Sequence, residues 1–198
     1  MESQKYIETF LMHDFDQCFQ QMRHYDNQIV GITKFISTVY TSLIALGVGL
    51  YKYGIDQNID WSFPVSVCLI GAMAFGIFML MLTVRNRVYF VHVTRYINEI
   101  RCVFINLDSS VFKNISGMYT NLSQPPFFNW LSSQSFFLYL ISSINSGLVG
   151  TVAYINESCI TGSIILGIVG LILQLLISII YLKTREGKSA SKSVFGKE

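Results

Sequence analysis

Apolar residues are arranged along this chain in two ways: as long, nearly unbroken runs, and as stripes that recur at alternating steps of four and three among polar neighbours. Four runs are long enough for a helix that crosses a hydrocarbon layer. Such a helix takes roughly 20 predominantly apolar residues, because in lipid the backbone must satisfy its own hydrogen bonds. The runs cover residues 35–51 (FISTVYTSLIALGVGLY), with a start as early as Ile29, then 61–84, 134–154 and 160–182. The stripes predict helices of another kind. Ile7, Leu11, Phe15, Cys18, Met22, Tyr25 and Ile29 mark one face of an amphipathic helix ahead of the first run. Beyond the second run, Tyr89, Val93, Tyr96, Ile100, Val103 and Leu107 repeat the alternation, and Phe90, Ile97 and Phe104 widen it. No Gly or Pro interrupts RNRVYFVHVTRYINEIRCVFI, so the second span is expected to continue as one helix into the cytoplasm for about 30 Å.

The expected fold is therefore all-α: a polytopic membrane protein with four transmembrane helices, an N-terminal amphipathic helix and a cytoplasmic helical extension of the second span. Residues 1–30 form the amphipathic helix, 31–84 the first transmembrane pair, 85–133 a cytoplasmic helix and loop, 134–182 the second pair, and 183–198 a basic mobile tail. Gly117, Pro125 and Pro126 predict a loop over 108–133, with Phe127, Phe128 and Trp130 as an interfacial aromatic anchor. The two stripes are expected to cover each other, or the same helices of a neighbouring subunit.

Composition agrees with the pattern. Of the 198 residues 52% are hydrophobic and 13% charged, where a soluble domain carries about 25% charged. Residues 61–84 and 114–156 contain no Asp, Glu, Lys or Arg. A net charge of +2 argues against a nucleic-acid partner, and the cysteines at 18, 68, 102 and 159 form neither a disulfide framework nor a metal cluster. The charges also set an orientation, because Lys and Arg are retained on the cytoplasmic side. With both termini inside, 13 of the 14 basic residues are cytoplasmic and Lys52 alone is outside. Residues 1–30 are polar and acidic, unlike a cleavable signal peptide, so the first span is expected to direct insertion.

Candidate chemistry is sparse. Small residues at four-residue spacing line Ser37, Thr41, Ala45 and Gly49; Cys68, Ala72 and Gly76; Ser142, Ser146 and Gly150; and Ser163 and Gly167. They allow close helix contact, within or between subunits. Asn145 and Gln174 are the deep carboxamides, at similar depth in antiparallel neighbours; they serve either an interhelical hydrogen bond or a polar ring in a pore. Around the cytoplasmic mouth, Arg23, His24 and Asp26 precede span one while Arg85, Arg87 and His92 follow span two. These six are the candidate site for an anionic cytosolic ligand or a pH response; the competing reading has Asp26 neutralise one arginine and lipid phosphates meet the rest. No zinc-protease motif, nucleophile elbow or intramembrane Asp pair occurs, and Gly187–Lys188–Ser189 lacks the earlier glycine of a phosphate-binding loop. No catalytic residue, metal site or cofactor is expected.

The stretches FDQCFQQMRHYDNQIVGITKF (15–35) and RNRVYFVHVTRYINEIR (85–101) resemble small oligomeric bacterial membrane proteins of the RipA-like type, over most of the chain. The leading helix, paired spans and helical extension are also similar to SLATT-type membrane effectors of bacterial nucleotide-signalling defence systems, over residues 1–107. SLATT proteins often have two spans, so spans three and four depart from that pattern. The resemblance implies an oligomer of the bacterial inner membrane and supplies no site residues. The expectation is a non-enzymatic homo-oligomer of the inner (cytoplasmic) membrane, a stress- or defence-linked pore or scaffold that answers a cytosolic signal. Its partners would be the lipid bilayer, its own copies, and an anionic ligand or protein from the cytosol. The alternative is a small-molecule transporter.

Overall fold

The computed structural model describes residues 2–57, 59–107, 120–157 and 159–186. Four helices account for most of them: α1 (Glu2–Gln57), α2 (Ser62–Leu107), α3 (Ser133–Glu157) and α4 (Ile160–Glu186). Each is long and apolar enough to cross a membrane. The chain thus has the make-up of a polytopic membrane protein. The expected tail from residue 187 onward and the loop over 108–119 lie outside the described residues.

The helix ends follow local chemistry. Asp60 accepts the Ser62 N–H at 2.9 Å, and the Trp61 carbonyl takes the first helical bond of α2, from Val65. Pro64 sits in that first turn, where no N–H is required. Ser132 caps α3, its hydroxyl accepting the Ser135 N–H at 3.2 Å. Two boundaries differ from expectation. The leading stripe and the first span form one unbroken helix, since Gly31 alone does not stop α1. Similarly, α4 continues to Glu186, because the Lys-Thr-Arg-Glu after Leu182 can be helical and ends the helix with the basic charges its C-terminal dipole favours.

The chain divides into two compact units. One, the apolar unit, comprises residues 29–85 and 130–181. Its core contains Ile36, Tyr40, Val65, Leu69, Ala72, Met79, Leu80, Leu138, Ile141 and Leu148. Its periphery is apolar too: along α4, Ile164, Ile165, Ile168, Ile172, Leu173, Leu176, Ile177 and Ile180 are all exposed. Soluble monomers rarely leave so large a contiguous apolar surface uncovered. Within this unit α3 and α4 pack through their small residues. A Cβ built on Gly150 would lie 3.0 Å from the Ser163 carbonyl, and one on Gly167 would lie 3.2 Å from the Ser146 carbonyl. Those two edges therefore meet each other inside one subunit. The edge on α1 does not meet them: Ser37, Thr41, Ala45 and Gly49 are exposed, and a Cβ on Gly49 would have nothing within 4 Å.

The other, the charged unit, comprises residues 1–28, 86–129 and 182–198. Here the start of α1 and the end of α2 run antiparallel. Tyr25 stacks on Tyr89 at 5.8 Å, Asn86 donates to the Tyr25 carbonyl at 2.7 Å, and Tyr96 donates to Asp14 at 2.6 Å. The Arg101 guanidinium lies over the rings of Phe15 and Phe19. Leu11, Phe15, Cys18, Met22 and Tyr25 are accordingly buried or half-buried.

Candidate functional site

Two polar constellations stand out, one in each unit. In the apolar unit, Asn145 of α3 is 0% exposed and joins three helices. Its Oδ1 accepts the hydroxyl proton of Tyr40 from α1, and its Nδ2 donates to Gln174 Oε1 of α4 at 3.0 Å. Gln174 Nε2 in turn donates to Ser146 Oγ at 3.3 Å and to the Gly170 carbonyl at 3.2 Å. The fourth helix contributes an absence. A Cβ on Gly76 of α2 would overlap both Tyr40 Oη and Asn145 Oδ1, so this position must be glycine for the network to close. Asn145 and Gln174 are thus bonded to each other within one subunit. Sequence pattern marks Gly76 as part of the small-residue edge Cys68, Ala72 and Gly76 but does not pair it with Asn145, and it gives Tyr40 no spacing signal.

Replacing Asn145 with leucine leaves the Tyr40 hydroxyl and one Gln174 oxygen without this partner. Buried polar groups left unmatched cost about 1–3 kcal/mol. Asn145→Leu is expected to lower stability in detergent by about that amount; thermal unfolding of the purified variant checks it.

A shallow groove of about 480 Å³ also runs along α3 and α4, lined by Gly147, Gly150, Thr151, Ser163, Ile164 and Gly167 among others. Its Thr151 hydroxyl bonds the Gly147 carbonyl of its own helix and its Ser163 hydroxyl the Cys159 carbonyl just before α4, so what the groove offers is chiefly apolar.

The second constellation is built on one face of α2. Arg87, Arg95, Asn98 and Cys102 follow one another at steps of eight, three and four, and each donates to the turn-forming segment 120–127. Arg87 reaches the Phe127 carbonyl at 3.0 Å and the Pro126 carbonyl at 2.7 Å. Arg95 reaches Pro125 at 3.1 Å and Ser123 at 2.9 Å. Asn98 bonds the carbonyls of Asn121 and Gln124, and Cys102 that of Thr120. The proline pair explains the demand. Pro125 and Pro126 have no N–H, so this stretch cannot pair as helix or ladder, and its carbonyls take donors from elsewhere.

Phe127 closes the arrangement. It is 0% exposed, with the Arg95 guanidinium 4.7 Å over its ring and the His92 ring edge-on at 5.1 Å. The expectation of an interfacial aromatic anchor is therefore corrected for Phe127: the Arg95 cation–π contact and the edge-on His92 ring hold it inside, while Trp130 remains exposed. Glu186, at the end of α4, completes the site by pairing with Arg95 and accepting the Phe127 N–H at 2.9 Å.

The six charged candidates are distributed unevenly. Arg23, His24 and Asp26 lie on the exposed side of α1, Arg23 over the Phe19 ring and His24 against Tyr25. Arg85 is exposed and belongs to the apolar unit. Arg87 is turned inward, 7% exposed, and His92 shares the Phe127 environment with it. Arg95, Asn98 and Glu186 were not among the candidates. The spacing of Arg87, Arg95 and Asn98 on one helical face, together with the adjacent prolines, carried a signal for the first two; nothing in the sequence marked Glu186.

Burial shapes the electrostatics. Arg87 is pushed down to about 10, chiefly by desolvation and then by the like charge of Arg95, with Glu186 opposing. His92 is held below its ordinary 6.5 by burial and by the charges of Arg95 and Arg185. The unfolded chain therefore binds a proton at His92 more readily than the folded one. The contribution of neutral His92 is complete above about pH 6.5 and declines as pH falls through that value. Unfolding followed from about pH 8 to about pH 5 should show this loss, and His92→Gln should flatten it.

Among the described residues no group of three His, Cys, Asp or Glu side chains is placed to hold a metal ion. Comparison with protein-family models, curated proteins and solved structures gives no match.

Proposed function

We propose that the chain is a non-enzymatic, homo-oligomeric protein of the bacterial inner membrane, with both termini cytoplasmic and the charged unit forming a cytoplasmic helical layer. It acts as a membrane scaffold that responds to a cytosolic signal. The observation that carries the scaffold reading over a pore is the engagement of Asn145 and Gln174 with each other and with Tyr40 and Ser146 inside one subunit. A conducting path needs polar groups facing water, and these deep carboxamides bond within the bundle instead. Self-association is supported by the α1 edge. Ser37, Thr41, Ala45 and Gly49 have the spacing that lets membrane helices approach closely, and this edge is exposed while those of α3 and α4 meet within the subunit. The cytoplasmic assignment follows from the concentration of basic residues in the intervening and terminal segments. The resemblance of residues 15–35 and 85–101 to RipA-like and SLATT-type proteins points the same way.

Reconstitution tests the reading. Liposomes containing the protein should retain a small-ion dye, and native mass spectrometry from nanodiscs should give a defined multiple of 22.5 kDa. Sustained ion leak at the same protein density would replace scaffold by pore, and a monomer across the concentration range would remove the assembly. Cys159, exposed in the turn before α4, should react with a membrane-impermeant maleimide from the outer face of the inner membrane; reaction from the cytoplasmic face alone would reverse the orientation.

A further inference from the structure

The groove of about 480 Å³ between α3 and α4 lies open on the surface of the apolar unit, with Gly147, Thr151, Ile164 and Ile168 exposed along it. It continues the contact that joins the two helices, since Gly150, Ser163 and Gly167 belong to both. A slender ridge is exposed on α1. Ile36, Tyr40 and Gly47 turn into the core, and the sector facing away from them over residues 38–49 holds Thr38, Thr41, Ser42, Ala45 and Gly49, all exposed and none larger than threonine. The Thr38, Thr41 and Ser42 hydroxyls bond carbonyls of α1 itself, so this face makes no unmet polar demand. The exposed side of α4, by contrast, is built from isoleucine and leucine.

Depth decides which surfaces can meet. Helix α2 runs against both α1 and α3: Leu69 lies by Gly47 and Gly76 by Tyr40, while Ser66 accepts from Asn156 at 3.0 Å and Gly76 lies by Asn145. Helices α1 and α3 are therefore parallel, and the Tyr40–Asn145 hydrogen bond sets them level at an offset of 105 positions. The α3 side of the groove, residues 143–154, is thus level with residues 38–49 of α1, the length of the small face. The same offset puts Lys52, exposed beyond that face, level with Glu157, the last residue of α3. Copies inserted in one bilayer with one orientation share these depths, so the small face of one meets the groove of another along its length, with opposite charges at the outer end.

We propose that the α3–α4 groove receives the small face of α1 from a second copy, with Lys52 beside the Glu157 of that copy. Small residues let the helices approach closely there. Because the two surfaces differ, every copy offers one of each and the contact repeats head to tail; within one bilayer the repeat has no rise, so it closes as a ring. The inference rests on the homo-oligomeric reading above and names its interface.

Leucine at three glycines tests it. A Cβ on Gly49, Gly71 or Gly147 would meet nothing within 4 Å, so each substitution begins in open space and the subunit keeps its contacts. Gly49 lies on the small face, Gly147 in the groove, and Gly71 on neither. In native mass spectrometry from nanodiscs over a range of protein-to-lipid ratios, Gly49→Leu and Gly147→Leu should each weaken association roughly tenfold or more, and Gly71→Leu should leave it within about twofold. Lys52→Glu should weaken it too, and Glu157→Lys added to Lys52→Glu should restore it. Disulfide formation in mixed membranes gives a second reading. Chains carrying Ala45→Cys and chains carrying Thr151→Cys, with tags of different mass, should cross-link as mixed pairs above the background of the native cysteines. An oligomer that Gly147→Leu leaves intact overturns the inference, and one that also loses bound lipid makes the groove a lipid site instead. Cross-links between two Ala45→Cys chains in place of mixed pairs overturn it as well, as does equal weakening by Gly71→Leu. A charge exchange that fails to restore assembly overturns the register. A native protein that stays monomeric overturns the homo-oligomeric reading itself, so the two failures are distinguishable.

Discussion

Replacing Gly76 with leucine is expected to unfold the four-helix apolar unit or reduce its stability by about 2–6 kcal/mol. Two effects combine at this position. The first is steric: any Cβ overlaps Tyr40 Oη and Asn145 Oδ1, so α2 must move away or both partners must leave their rotamers, and overpacking of this kind costs about 1–3 kcal/mol. The second is polar. Displacing Tyr40 and Asn145 breaks the hydrogen bond between them and loosens the Gln174 contact, leaving groups unmatched in an apolar core at about 1–3 kcal/mol. Gly71 supplies the control. It lies on the same helix, but a Cβ there meets nothing within 4 Å, so Gly71→Leu should change stability by less than about 0.5 kcal/mol. Thermal or denaturant unfolding of both variants in the same detergent gives the comparison. Equal effects would show that leucine disturbs α2 through its surface, and that the network has no special need of glycine.

Phe127→Ala is expected to be the most damaging single truncation in the charged unit, at about 3–5 kcal/mol. The ring is wholly buried, and its removal opens a cavity beside the buried Arg95 guanidinium and the half-buried His92 ring. The Arg95 guanidinium loses a face 4.7 Å away, and His92 loses the edge that shields it. His92 should then titrate closer to its ordinary value, which a nuclear magnetic resonance titration of the ring would register. Leu131→Ala, four residues on and 82% exposed, should change little by comparison. If Phe127→Ala unfolds no more readily than Leu131→Ala, the segment 120–127 is held by the arginines and Asn98 alone.

Both predictions concern residues whose contacts sequence pattern leaves open or misplaces, and the reasons differ. Phe127 follows two prolines and lies near Trp130 at the approach to α3, which is how an aromatic at a membrane interface looks along the chain. Its burial depends on Arg87 and Arg95, which are 40 and 32 positions earlier. Gly76 falls on the small-residue edge with Cys68 and Ala72, which Gly71 does not, but that the edge meets Tyr40 and Asn145 is decided by the other helices. Asn145 and Gln174 were conspicuous because carboxamides are rare in such runs, and antiparallel neighbours bring their depths together. Tyr40 as their third partner was not visible. The charged candidates show the same limit. Arg23, His24, Asp26, Arg85, Arg87 and His92 look equivalent by type, yet Arg87 is buried and Arg23 is exposed.

Along the chain itself, the apolar runs determined that there would be four long helices suited to lipid. A backbone away from water must bond to itself, and a run without charge or mid-helix proline has the helix as its simplest means of doing so. The amphipathic stripes marked the inward face only in part: Cys18, Ile97 and Ile100 are buried, but Ile7, Tyr89 and Val103 are exposed, and α2 buries Arg87, Val91, Arg95 and Asn98 instead. Which small-residue edges meet, which arginine turns inward and which carboxylate answers it were decided only in three dimensions. Burial and charge compensation are properties of contacts, and Glu186 reaches Arg95 across 91 positions of sequence that hold no trace of the pairing.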